Sequence, residues 1–137
     1  MDSELILLSF DKIMQTRSYT VVILGAPEKR FAIYTDPSIG RTLQIYLTGA
    51  DKPRPLTHDL MNSIFLGLGV KLIQVVINDI QDTVYYARLF MEQLIGGVKH
   101  IIEVDARPSD CITLALLNNI PVYCTKEVLE KTVPIEE

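Results

Sequence analysis

Residues 37–47, PSIGRTLQIYL, and residues 108–118, PSDCITLALLN, decide how this chain is read. Sliding the sequence by 71 residues lays one on the other. Pro37, Ser38, Thr42 and Leu43 then coincide with Pro108, Ser109, Thr113 and Leu114, four identities in an ungapped window of eleven. The stretches before them, FAIYT and IIEVD, overlie to within one residue, and a shift of 68 lays Thr57, Asp59 and Leu60 on Thr125, Glu127 and Val128. Any two strand-to-helix junctions share caps and apolar steps. Matches this dense at one architectural point favour an internal duplication. The expected unit is three strands, a helix and, after a loop, a second helix.

The rest of the chain is read outward from these junctions. ELILLSF, YTVVILG and FAIYT are short, apolar and rich in β-branched or aromatic residues, as strands are. Asp36 suits an N-cap, Pro37 a first helical position and Gly49 a helix stop, which predicts a helix over 37–48. Leu60, Met61, Ile64, Phe65 and Leu68 fall at helical spacing after a proline-bearing loop. VKLIQVVIND and TVYYARLFM flank the polar turn NDIQD and predict a hairpin. HIIEV is a further strand, 108–119 a helix ending in Asn-Asn, PVYC a last short strand and KEVLEK a last helical turn or two. The expected class is α+β: one domain spanning 1–137, with a mixed or mainly antiparallel sheet, helices and the internal duplication.

Composition bounds the function. At 137 residues, 48% hydrophobic and 22% charged, the chain has material for one core and is too apolar to be disordered. Its mean hydropathy of +0.23 is high for a small protein. No run approaches the roughly 20 apolar residues of a membrane span. We therefore expect no membrane, and a homo-oligomer, most simply a dimer, that covers the surplus apolar surface. The first ten residues carry two acids and no base, unlike a signal peptide. Cys111 and Cys124 lack metal-type spacing and read as buried thiols in a reducing compartment, so the expected location is the cytoplasm. A net charge of −4 argues against bulk electrostatic attraction for nucleic acid, so any phosphate binding has to be local.

Two stretches concentrate unusual polar residues: RPLTHDL, 54–60, and DARPSD, 105–110. Both run Arg-Pro, a hydroxyl, then an aspartate, and both open a helix. Capping explains Thr57, Asp59, Ser109 and Asp110 taken singly. It does not explain Arg54, His58 and Arg107, cations at the helix end that repels them. An anion should compensate them. Arginine beside a helix N-terminus suits a phosphate, so Arg54 and Arg107 are the candidate phosphate-binding residues. Asp59, Asp105 and Asp110 are candidate ligands for a divalent cation, magnesium or manganese, which takes hard oxygen donors. His58 is a candidate proton carrier near neutral pH, with Asp59 and Asp110 beside it in the candidate catalytic set.

The same stretches carry a resemblance. PRPLTHDLM, the hairpin with TVYYARL, DARPSDCITLAL and IPVYC, in that order from about residue 19 to 131, resemble the bifunctional nuclease domain family. The resemblance implies an α+β fold and, for some members, action on both RNA and DNA. The family's motif positions fall on Arg54, Thr57, His58, Asp59, Asp105, Arg107, Ser109 and Asp110. One departure stands out. The family usually has Gly-x-x-Glu-Ala after the strand, whereas this chain has DPSIG, with Ile39 for the glutamate and Gly40 for the alanine. By the internal alignment Ile39 lies opposite Asp110.

Two functional readings follow. The first is a nuclease that hydrolyses phosphodiester bonds of RNA or DNA, assisted by a divalent metal, with the arginines neutralising developing charge and His58 acting as base or acid. The second is a non-catalytic protein- or ligand-binding module whose two motifs form a structural ion-pair network. Burial separates them: a shared open pocket favours the first, mutual hydrogen bonds in the interior the second.

Overall fold

In the computed structural model, residues 4–135 are described, and the reading of the first residues falls partly on 1–3, outside that range. The chain runs β1 (Leu5–Gln15), β2 (Thr20–Gly25), β3 (Arg30–Thr35), α1 (Pro37–Thr48), α2 (Thr57–Gly67), β4 (Val70–Gln81), β5 (Val84–Ile95), β6 (Val98–Ala106), α3 (Pro108–Asn118), β7 (Val122–Thr125) and α4 (Lys126–Lys131). The sheet order is β3-β2-β1-β7-β4-β5-β6. Every neighbouring pair is antiparallel except β4 and β7, which are parallel.

This order is what a duplicated unit produces. Each half is a three-stranded meander followed by a helix, and the first strands of the two halves, β1 and β4, flank β7. β7 runs against β1 and along β4, so β1 and β4 are themselves opposed. That is the relation of a two-fold axis through the sheet, and it puts α1 and α3 in contact on one face.

The sheet curls because β1 divides its partners. Leu5–Leu8 pair with β7, Ser9–Gln15 pair with β2, and a register shift lies between Phe10 and Lys12, near the start of the second run. Such a shift bends a strand and increases its twist. The curl carries the β3 edge round to β5: Phe31 stacks on Tyr85, ring centroids 6.0 Å apart and 17° from parallel, although four strands lie between them in the sheet.

The curled sheet encloses α3. Cys111, Ile112, Thr113, Leu114 and Ala115 are consecutive and all buried, so the helix is covered on every side. A helix that is apolar all round belongs in a core. Thr113, fully buried, satisfies its hydroxyl on the Ser109 carbonyl at 2.8 Å. α1 is held closely to the sheet because Gly40 has no side chain. A Cβ there would lie 1.9 Å from Gln15 Oε1 and 2.3 Å from Thr20 Oγ1. Gln15 uses that space, donating to the Pro37 carbonyl and accepting from Thr20.

Two expectations change in detail. The polar stretch 78–81 is strand, and the hairpin closes on Asp82 and Thr83 alone, with Asp82 at φ +58°. Asp79 makes this workable by accepting from the Ile80 amide and the Gln81 side chain. The α2 stripe is only half used: Met61 and Phe65 pack on the core, while Leu60, Ile64, Leu66 and Leu68 stand in solvent. Among the described residues no helix is long and apolar enough to cross a membrane.

Candidate functional site

α3 begins where β6 ends. Pro108 occupies its first turn, and Arg107, extended at φ −69° and ψ 141°, is its N-cap. Asp110, one turn in, makes no cap bond to its own helix. Its carboxylate instead divides between two side chains, one from each motif. Oδ1 lies 3.0 Å from His58 Nε2, and Oδ2 accepts from Arg107 Nε at 2.9 Å. RPLTHD and DARPSD therefore meet, through one carboxylate.

The chain of contacts is graded in exposure. The His58 side chain is 8% exposed, Asp110 26% and Arg107 64%. His58 is the buried residue of α2, held between that helix and α3. Arg107 is the solvent end, and its bond to Asp110, followed by that carboxylate's charge, raises its already high pKa, so it stays a cation. Asp36, the N-cap of α1 and the partner of Arg107 under the 71-residue shift, adds to that field.

The other candidates are placed apart from this junction. Asp59 accepts from the Leu56 amide at 2.7 Å and from Lys52 Nζ at 3.1 Å. Burial pushes its carboxyl up, but the Leu56 and Lys52 bonds and the neighbouring Tyr46 outweigh this and hold it below the usual carboxylate range. Lys52 also sits 4.8 Å from the centre of the Tyr46 ring. Burial, reinforced by Asp59, pushes the Tyr46 phenol up to about 12. That hydroxyl reaches no well-formed hydrogen bond among the described residues, so we assign the effect to burial and charge.

Asp105 points to the other face of β6. It lies opposite Arg88, 3.9 Å from its Nη1, with 68% of its side chain exposed. Arg54 is exposed in the loop before α2, and no ion pair involves it among the described residues. Asp59, Asp105 and Asp110 thus do not converge, and no group of three or more His, Cys, Asp or Glu among the described residues is arranged to hold a metal. Ile39 is 9% exposed in the core, so the position opposite Asp110 contributes packing rather than charge. Ser109 is buried, and Thr57 is exposed without a capping bond.

Sequence reasoning missed the partners of Asp59 and the hydrogen bond, 2.8 Å long, from Asn118 to Asn62. The latter bridges α3 and α2 beside a groove of about 620 Å³ that also reaches Asp59. An asparagine in the middle of α2 and another at the last position of α3 were the available signal. Neither His58, Arg107 nor Asp110 lines that groove. Arg107 instead forms part of a smaller cleft between the β3 end, the β4–β5 turn and the start of α3. Burial raises both thiols, Cys111 to about 12 and Cys124 to about 11, so they are packed as neutral groups.

A small α+β domain with an internal repeat, whose two polar motifs join in a histidine–aspartate–arginine chain, is a defined class of protein. The model of the bifunctional nuclease domain matches residues 22–136, and the chain belongs to that family. It is 31% identical over 120 residues to an uncharacterised protein of Mycobacterium tuberculosis, covering 86% of this chain and 69% of the relative. It is 26% identical over 76 residues to Bifunctional nuclease 1 of Oryza sativa subsp. indica, covering 56% of this chain and 23% of the rice protein.

Proposed function

We propose that this chain hydrolyses phosphodiester bonds of RNA or DNA, with Arg107 as the phosphate-binding group and the His58–Asp110 pair as the proton carrier. The observation that carries the reading is the graded chain itself: a cation two-thirds exposed, aimed by a carboxylate that a buried histidine fixes in turn. Such an arrangement holds a guanidinium ready for charge developing on phosphoryl oxygens without reorganisation at the moment of reaction. Water adds to phosphorus, its proton passes to the His58–Asp110 pair, and a proton returns to the oxygen that leaves as the P–O bond breaks. The family and the name of the rice relative support the substrate class.

Asp59, Asp105 and Asp110 do not fit a resident divalent ion, which requires several oxygens on one side. No step is assigned to one. The burial of His58 favours the second reading, in which the junction is a latch between α2 and α3 with no chemistry of its own.

One experiment separates the two. Labelled RNA and DNA are incubated with protein freed of contaminating nuclease, with magnesium and with a chelator. The expected result is cleavage by the wild type and a loss of about a hundredfold or more in Arg107→Ala, with little change in melting. Wild-type protein that cleaves neither substrate under either condition leaves the latch as the surviving reading.

A further inference from the structure

The cleft beside Arg107 has a composition that the hydrolytic reading does not use. Its volume is about 240 Å³, below the roughly 300–1,000 Å³ of sites that enclose a drug-sized ligand. It suits one planar ring system rather than an extended molecule. Tyr85 forms part of its wall and is fixed there by stacking on Phe31. Tyr34 stands at its rim, 66% exposed and 5.3 Å from the Tyr19 ring. Thr35, Thr83 and Ser109 add hydroxyl-bearing residues, and Arg107 lies between this cleft and Asp110. With Nε engaged by Asp110, the terminal NH₂ groups of Arg107 make no other bond among the described residues.

We propose that this cleft is a nucleobase subsite, so that the chain selects single-stranded nucleic acid with one base unstacked into the cleft and the adjoining phosphate on Arg107. The inference rests on the nucleic-acid reading above and names the form of substrate that the reading leaves open. A base stacks on an aromatic ring whatever its identity, which makes such a site tolerant of sequence. A base inside a duplex is paired and stacked and cannot enter a walled cleft without being extruded. The protein's net charge of −4 argues against bulk electrostatic attraction for phosphates, which leaves a larger share of the affinity to stacking.

The test is equilibrium binding by fluorescence anisotropy. The probes are a labelled phosphorothioate oligonucleotide, the same strand annealed to its complement, and the same strand carrying abasic sites. The expected result is binding of the single strand about tenfold or more tighter than either of the others. Tyr34→Ala and Tyr85→Leu should each weaken the single strand by about five- to a hundredfold and leave the duplex unchanged. Tyr34 is exposed, so its variant keeps the fold if Tyr85→Leu does not, and the abasic probe needs no variant at all. Equal affinity for the three probes, or no binding of any, overturns the subsite. Base-dependent binding without cleavage of ordinary RNA or DNA upholds the subsite and removes the hydrolytic reading. Cleavage with base-independent binding does the reverse.

Discussion

Asp110 holds two side chains, His58 and Arg107, with one carboxylate, and a hydrogen bond to an ionised carboxylate is charge-assisted. Replacing Asp110 by Asn keeps the shape and removes the charge, leaving His58 buried against an amide. We expect Asp110→Asn to lose about 2–3 kcal/mol in urea unfolding, because the histidine end is desolvated. Arg107→Ala should lose well under half of that, its end being mostly in water. Equal losses would show that burial does not grade this chain of contacts. Asp59 gives a second prediction at this scale. Its carboxyl is held below the ordinary range in the fold, so its contribution is present above the unfolded value near 3.9 and is lost as pH falls through the folded one. Asp59→Asn should be less stable than wild type at about pH 7, and the difference should shrink on acidification below about pH 4. Urea midpoints across that range measure it, and a gap that widens toward acid would contradict the sign.

The helices differ in how far their sequences disclosed them. α3 was legible because its apolar residues run consecutively rather than at one face, which marks a central helix. α1 was legible from its ends, Pro37 and Gly49, the latter at φ +68°. α2 misled in part, since periodicity registers an apolar stripe without saying whether protein or water faces it. The turn at 82–83 was misplaced because Asn78 and Asp79 look like turn residues, and the local bonds that satisfy Asp79 only appear in three dimensions. The two motifs were read as a pair, and Asp110 does hold an arginine, but the parting of Asp59 and Asp105 from it was not foreseen. Strand alternation turns Asp105 to the opposite face, and the loop lysine draws Asp59 aside. Gly40 gives the prediction at this scale. Adding a methyl group forces Gln15 off the Pro37 carbonyl and Thr20. Gly40→Ala should cost about 1–3 kcal/mol by overpacking, against the gain in helix propensity. In a Gln15→Ala background the same change should cost little or stabilise. A cost unchanged by that background would mean the strain lies elsewhere.

Over the whole molecule, the outward stripe of α2 is continuous with more apolar surface. Gln93 of β5 donates to the Leu68 carbonyl, which ties the end of α2 to the hairpin carrying Leu94, Ile95 and Val98, all more than half exposed. Gly96 and Gly97, both at positive φ, close that hairpin in a two-residue turn. We propose that a second copy covers this surface, as the surplus of apolar residues leads one to expect. Sedimentation at micromolar concentration should give a dimer, and Ile64→Glu with Leu68→Glu a folded monomer. A wild type that sediments only as monomer would end the proposal.

The position of β7 has a consequence for how the protein is made. Among the described residues, hydrogen bonds join the β1–β2–β3 half of the sheet to the β4–β5–β6 half through β7, which follows both meanders in sequence. During synthesis, which delivers roughly 5–20 residues each second, both meanders leave the ribosome before the strand that unites them. Until then the edges of β1 and β4 are open templates for other strands. A ribosome stalled when β6 has emerged and β7 is still inside the exit tunnel would hold a nascent chain with both half-sheets present and nothing between them. Such chains should be the species that chaperones retain, and release should coincide with emergence of β7 and α4 rather than with completion of the first repeat.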